Sequence, residues 1–446
     1  MDNKTIYALS TVMGKSGVAL IRVSGEQAFD VFSQMTNIDA DKLVFRKMYL
    51  TQLKDPKTGE LIDNTLIVAF KAPNSFTGEN TVEINCHGSK AVIKSIIAAL
   101  SGLNNFRLAE PGEFSRRAFY NGKMDLTEAD GLADLIDAET ELQRKVALQQ
   151  MGGTLFTLYK SWREQLVETL SFLEAYIDFP DENIPQNTVF KLQNSVFKLS
   201  EEIKCHLKGN NIEERLRDGF KVVISGPTNA GKSSLINSIA KRNVAIVSDI
   251  AGTTRDSIDC YVDLRGYPVV FSDTAGLREA NDEIEKIGIN IALNKIEEAD
   301  FNIFLFDAED DTPDIFSQFL NSKNNWLIVG NKCEKLTQTQ RDVLQSQGIV
   351  LISAKEGLNI ELLLEKVYNY LSSQYSTSGA ELITRQRYKE CLLECLDNLE
   401  RFDLNKEIEL AAEDIRLACR ALGKITGQVE VSEILDKIFG TFCIGK

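Results

Sequence analysis

The run Gly226-Pro227-Thr228-Asn229-Ala230-Gly231-Lys232-Ser233 has the spacing GxxxxGK[ST]. It follows the apolar stretch Lys221 to Gly226 and precedes a helix predicted over Ser234 to Ala240. Glycines allow a tight loop whose backbone N–H groups face phosphate, Lys232 brings a positive charge to the β- and γ-phosphates, and the Ser233 hydroxyl can ligate Mg²⁺. Gly252-Thr253-Thr254-Arg255-Asp256 then supplies a threonine for metal and γ-phosphate. Asp273-Thr274-Ala275-Gly276 places a carboxylate in the outer metal shell and a glycine amide at the γ-phosphate.

Asn331-Lys332-Cys333-Glu334 and Ser353-Ala354-Lys355 fall at the ends of later β-type runs, where a base-reading loop belongs. They resemble the NKxD and SAK guanine-recognition elements of translation-type GTPases. An acidic acceptor for the guanine N1 and N2 groups favours GTP over ATP, although Glu334 stands where the pattern has Asp and carries its carboxylate one methylene further. Leu277, after Gly276, cannot orient a water molecule, so hydrolysis needs another group. Glu279, Asp282, Glu283 and Glu285 can each reach the attacking water from a loop, and each taken singly also reads as solvated acidic surface. Cys443 fits a buried hydrophobe as well as a nucleophile; Cys443-Ile444-Gly445-Lys446 ends in the wrong residues for prenylation. His87 has no second ligand at metal spacing, and Cys391 and Cys395, four apart on a predicted helix, read as core packing.

These residues must be carried by elements that the rest of the chain supplies. Its 446 residues suggest about three domains, and 43% apolar with 26% charged positions excludes a disordered chain. The net charge of −15 argues against a simple RNA-coating protein, so RNA must be met through a local basic patch or a partner. No apolar run is long enough to span a bilayer and the N-terminus lacks a secretion pattern, which predicts a cytoplasmic protein. Eight scattered cysteines without a CxxC pair speak against disulfide frameworks and zinc sites.

Short β-type runs (Ile21 to Val23, Leu66 to Phe70, Thr81 to Asn85) between turn signals predict a small α/β or α+β domain from Ile6 to Arg107. After Asn121-Gly122, apolar residues from Leu126 to Val146 recur at helical spacing and predict a long amphipathic helix, with more following to about residue 215. The runs Lys221 to Gly226, Ile258 to Leu264, Val269 to Asp273, Asn302 to Asp307, Trp326 to Gly330 and Ile349 to Ser353 alternate with helical segments such as Leu358 to Leu371, predicting a mostly parallel six-stranded sheet. Ser372 to Gly379 reads as a linker, and Glu381 to Phe439 as helical again. The two helical stretches are expected to pack together with the α/β unit inserted between them. The expected domains are thus 1–120, 121–215 with 376–446, and 216–375, a multidomain α/β plus α architecture.

With these motifs in place, the whole chain resembles the MnmE (TrmE) family, GTPases of wobble-uridine modification in tRNA. The resemblance rests on Pro73 to Ser89, Ala109 to Asp130, Gly226 to Asn237, Ile246 to Asp256, Asp273 to Arg278 and Phe442 to Lys446. It implies an N-terminal tetrahydrofolate-binding domain that forms the homodimer, a central helical domain, and an inserted Ras-like P-loop domain stimulated by K⁺. It implies that GTP is held by Asn229, Ala230, Gly231, Lys232, Ser233 and Ser234, by Ser248, Asp249, Ile250, Ala251, Gly252, Thr253 and Thr254, by Asp273, Thr274, Ala275 and Gly276, and by Asn331, Lys332, Glu334, Ser353, Ala354 and Lys355. Ser233 and Thr254 would ligate Mg²⁺, and Asn229, Ser248, Ile250 and Thr253 would hold K⁺. Glu285 would orient water indirectly, with Asn229, Lys232 and Thr254 assisting catalysis. Arg22, Glu83, Lys123 and Lys446 match the folate positions. The implied partners are tRNA and MnmG, an FAD-containing protein forming a heterotetramer with this one; together they place a (carboxymethyl)aminomethyl group on C5 of uridine 34, with methylene-tetrahydrofolate as one-carbon source. The nucleotide residues alone also fit a ribosome-assembly or translation-associated G protein acting as an RNA-binding switch, which would explain neither the N-terminal motifs nor the tail.

Overall fold

The computed structural model describes residues 3–179, 186–208, 211–241, 259–273, 294–310, 325–374, 385–429, 435, 438–440, 442 and 445. They fall into two compact units, one of residues 1–133, 150–168 and 419–446, the other of 134–149 and 169–418.

The first unit is built on strands β1 (Thr5–Leu9), β2 (Ser16–Ser24), β3 (Met48–Lys54), β4 (Leu61–Phe70), β5 (Thr81–Gly88) and β6 (Phe106–Leu108), in the sheet order β3-β4-β5-β2-β1-β6. All neighbours are antiparallel except β1 and β6. The Lys57-Thr58-Gly59 turn forms because Asp55 accepts hydrogen bonds from the N–H groups of Lys57 and Thr58, leaving Gly59 at φ +71°. On one face, helix Lys90–Ser101 buries Ile93, Ile96, Ala99 and Leu100 against Ile21, Val23, Ile67, Ala69, Val82 and Ile84. The spacing of those helical residues is what makes the apolar stripe, each large aliphatic contributing about 2 kcal/mol by leaving water. On the other face the register sets Leu50, Leu66, Asn85 and Leu20 side by side across four strands, with Arg22 and Glu83 two residues along.

The loop Pro73 to Asn80 is tied down by its polar residues. Thr77 and Glu79 meet Ser24 Oγ at 2.6 and 2.8 Å, Glu79 receives two bonds from Arg117, and Asn80 Oδ1 accepts from Ala72 N. Arg107 of β6 donates two part-buried charge-assisted bonds to Glu113, tying helix Glu113–Tyr120 to the sheet, and Arg117 donates to the same carboxylate from one turn further along the helix. Phe439 and Phe442 pack on Leu126 and Ala129, and Gly112 passes so close to Phe439 that a Cβ would stand 2.3 Å from its carbonyl oxygen.

In the second unit, strands β7 (Phe220–Ser225), β8 (Asp259–Leu264), β9 (Tyr267–Asp273), β10 (Phe301–Asp307), β11 (Trp326–Asn331) and β12 (Val350–Leu351) form a sheet of order β12-β11-β10-β7-β9-β8. Only β8 and β9 are antiparallel, matching the mostly parallel six-stranded sheet expected from sequence. Helix Ile360–Gln374 covers it with Ile360, Leu363, Leu364, Val367 and Leu371. That helix starts two residues later than Leu358 and runs through Ser372 and Ser373, which the sequence assigned to a linker. Their hydroxyls bond back to the carbonyls of Asn369 and Tyr370 and so ride on the last turn. Helices Gln186–Lys208 and Gln386–Arg401 pack on each other with Cys391 and Cys395 buried, as core packing required.

The long helix expected after residue 126 is in fact two, Leu126–Asp137 and Glu141–Met151. Thr140 Oγ1 accepts from Gln143 N while Gln143 Oε1 accepts from Thr140 N, a capping box that restarts the helix. The helix predicted over Ser234 to Ala240 begins earlier, as Lys232–Ile239, because Lys232 and Ser233 form its first turn.

Candidate nucleotide site

The parallel ladder brings the carboxyl ends of β7, β9, β10 and β11 to one edge. Ile224 pairs with Asp273, Phe304 with Ser225 and Asp307 with Asn331. Open α/β sheets bind ligands at this edge. From Ser225 the chain enters the loop through Gly226 at φ +141°, where a Cβ would lie 1.9 Å from the Leu305 carbonyl oxygen, so no other residue fits. Asn229 at φ +69° and Gly231 at φ +96° complete the turn into helix Lys232–Ile239. Gly231 caps that helix without a side-chain hydrogen bond, which leaves the first-turn N–H groups to face an anion.

Lys232 is buried and its Nζ donates to the carbonyls of Gly226 (2.8 Å) and Pro227 (3.0 Å), holding the ammonium over the loop mouth. Ser233 Oγ donates to Asp273 Oδ2 at 3.2 Å. Hydroxyl and buried carboxylate therefore stand in the relation that an inner-sphere hydroxyl ligand and its outer-sphere acceptor have around Mg²⁺.

On the base side, Asn331 is 3% exposed and joins two loops. Its Nδ2 donates to Ala230 O at 2.7 Å and its Oδ1 accepts from Ala354 N at 3.0 Å. A Cβ on Gly231 would meet that Nδ2 at 2.3 Å, so the second glycine of the motif makes room for the asparagine. Ser353 is fully buried and exchanges both backbone hydrogen bonds with Leu358, which sets Ala354 in place; Lys355 is exposed. Lys332 turns left-handed at φ +63° and its Nζ reaches Asp307 Oδ2 at 2.5 Å. Burial pushes the Asp307 carboxyl up, but the Lys332 hydrogen bond and the Glu309 N–H outweigh it and hold it below the ordinary carboxylate range. Glu334 follows in the short Cys333–Lys335 turn; its Oε2 is shut off from solvent with no hydrogen-bond partner among the described residues. A buried carboxylate oxygen without a protein partner can accept a hydrogen bond from a donor outside the chain.

The structure thus brings together Asn229, Ala230, Gly231, Lys232, Ser233 and Asp273 at one end of the site and Asn331, Lys332, Glu334, Ser353 and Ala354 at the other. Ser234 lies in the first helical turn behind them. Ser248, Asp249, Ile250, Ala251, Gly252, Thr253, Thr254, Thr274, Ala275, Gly276 and Glu285 lie outside the described residues, as do Cys443 and Lys446. Asp307 was missed by sequence reasoning, its only signal being an acidic residue at the tip of an apolar run.

In the first unit, Arg22 and Glu83 are cross-strand neighbours that pair with each other, Arg22 Nε to Glu83 Oε1 at 3.0 Å. The guanidinium lies 5.0 Å from the Phe76 ring centroid and 5.8 Å from that of Phe114. Arg22 is therefore first a partner of Glu83, orienting the carboxylate, rather than a cation free for a ligand's glutamate tail. Lys123 is exposed at the turn after helix Glu113–Tyr120, next to Gly78, and makes no ion pair among the described residues. His87 Nδ1 lies 2.8 Å from Asp63 Oδ1, and the same carboxylate accepts its backbone N–H.

Comparison with known proteins finds two family models along the chain. The GTP-binding protein TrmE N-terminus matches residues 5–123, and the MnmE helical domain matches residues 126–443. A tRNA modification GTPase MnmE from Rickettsia canadensis is 44% identical over 99% of this chain and 100% of its own length. Its counterpart in Rickettsia rickettsii is 43% identical over the same shares. Among solved structures, Aquifex aeolicus Era bound to GDP and aluminium fluoride aligns with 27% identity and a TM-score of 0.28 over 40% of this chain and 66% of that one.

Proposed function

The chain belongs to the MnmE (TrmE) family and is a GTP hydrolase of tRNA modification, and from that premise we propose a K⁺-dependent hydrolysis cycle coupled to one-carbon chemistry at C5 of the wobble uridine. The observation that carries the nucleotide half is the Asn331 clamp between the phosphate loop and the base loop, which ties the two ends of the site to each other. In this reading Lys232 leaves the loop carbonyls to neutralise the β- and γ-phosphates, and Ser233, held by Asp273, offers its hydroxyl oxygen to Mg²⁺. Thr254 is the second Mg²⁺ ligand. Asn229, Ser248, Ile250 and Thr253 hold K⁺, which supplies the positive charge that an arginine finger gives elsewhere. Glu285 orients the water indirectly, and Glu334 reads the guanine donors.

The sheet face opposite helix Lys90–Ser101, covered at β1 and β2 by Phe76 and Phe114 but open at β3 and β4, supports the remaining proposals. It carries the Arg22–Glu83 pair beside Val18, Leu50 and Leu66, which are 60%, 77% and 41% exposed. Apolar surface of this kind, with Leu50 and Leu66 paired across β3 and β4, favours association with a second copy through the 1–120 domain. Glu83, oriented by Arg22, can accept hydrogen bonds from a pterin's amino and imino groups, with Lys123 and Lys446 available for the glutamate tail. The partner is an MnmG-type FAD protein, tRNA is the substrate, and the cytoplasm is the compartment. Equilibrium binding of 5-formyl-tetrahydrofolate to the full chain tests the folate half. Saturable binding that Glu83→Gln weakens tenfold or more is expected, and no binding by the wild-type protein would refute it.

A further inference from the structure

Strand β10 ends at Asp307, and its register sets this residue directly opposite Asn331. The next residue of β11's loop, Lys332, takes the left-handed conformation, so its side chain returns across the strand pair to Asp307. Asp307 is itself fixed: its Oδ1 accepts from Glu309 N at 3.2 Å, while the Ala308 N–H donates to Asn331 O at 2.9 Å. The Lys332 and Asp307 side chains are 30% and 16% exposed, shielded enough for their attraction to exceed that of a surface pair. An unpaired lysine has a flexible four-carbon stem, whereas this one is held at both ends. Glu334, whose Oε2 has no hydrogen-bond partner among the described residues, hangs from the same short turn that Lys332 opens.

We propose that Asp307 is a positioning residue of the base site. It fixes Lys332 and, through the left-handed turn, aims the Glu334 carboxylate at a purine carrying a ring N–H and an exocyclic amino group. This rests on the reading that Asn331, Lys332 and Glu334 recognise guanine, and it adds an acidic residue that never touches the nucleotide. It also gives the longer Glu334 side chain a fixed origin from which to reach the donors.

The test is GDP and IDP affinity of the full-length protein, since inosine lacks the exocyclic amino group. Asp307→Asn is expected to weaken GDP binding about tenfold and IDP binding less, narrowing the preference between them. The Asp307→Asn/Lys332→Ala double variant should bind no more weakly than Lys332→Ala alone, because both remove one coupling. Glu309→Gln, which breaks the neighbouring Lys335–Glu309 pair at about 46% exposure, should leave both affinities within twofold. Asp307→Glu, keeping the charge, should stay within about threefold of wild type and serves if the asparagine variant does not fold. Wild-type GDP affinity and preference in Asp307→Asn, or full additivity in the double variant, would overturn the inference. If Glu334→Gln also leaves GDP binding unchanged, the guanine reading itself has failed, whereas a weakened Glu334→Gln beside an unaffected Asp307→Asn condemns the role of Asp307 alone.

Discussion

Asn331→Ala probes the junction on which the nucleotide site depends. The substitution deletes a donor 2.7 Å from Ala230 O and an acceptor 3.0 Å from Ala354 N, both in a position only 3% exposed. Leaving a buried backbone group without its partner costs about 1–3 kcal/mol. Two such groups, with the backbone around them relaxing once the side chain is gone, give about 2–4 kcal/mol. If the loops keep their shape only when nucleotide is bound, that cost falls on affinity and weakens GDP by about 30- to 1,000-fold. Titration with a fluorescent GDP analogue measures the loss, and thermal unfolding of the nucleotide-free protein shows how much is paid in stability instead. Asn331→Asp retains the acceptor for Ala354 N but sets a carboxylate against the Ala230 carbonyl, so it should be at least as damaging. GDP affinity within twofold of wild type, together with an unchanged melting temperature, would refute the clamp.

Two other outcomes follow from single residues. GTP hydrolysis is expected to be much faster in KCl than in NaCl, with Asn229→Ala erasing the difference; equal wild-type rates in both salts would remove K⁺ from the mechanism. Burial lowers His206 from its usual range to about 4. The folded state thus binds fewer protons than the unfolded one between that value and about 6.5, so stability falls as pH drops through this window, by at most about 3 kcal/mol. His206→Gln should flatten the pH dependence of urea unfolding over the interval, and an unaltered slope would show that another group is responsible.

Much of the nucleotide half was legible in the chain because its signals are local. Gly226 to Ser233 needs only a strand before it and a helix after it, and the apolar runs that became β7 to β12 stand between clear turn residues. What stayed hidden depends on side chains answering other side chains. The Thr140 and Gln143 capping box lies within an uninterrupted apolar period, so helical spacing alone reads straight through the break. Ser372 and Ser373 look like linker composition until their hydroxyls are seen bonded to the helix. Asp307 gains meaning only from the register that sets it beside Asn331 and under Lys332. Arg22 and Glu83 are 61 positions apart and look like ordinary surface charges until strand pairing makes them one unit.

The central claim is that nucleotide turnover at this sheet edge drives modification of tRNA. Its most direct test is mass-spectrometric nucleoside analysis of tRNA from cells lacking the protein, complemented with the wild-type gene or with Lys232→Ala. The wild-type chain should restore the C5 side chain on the wobble uridine and Lys232→Ala should not. Full restoration by a Lys232→Ala protein shown to hydrolyse no GTP would contradict the account.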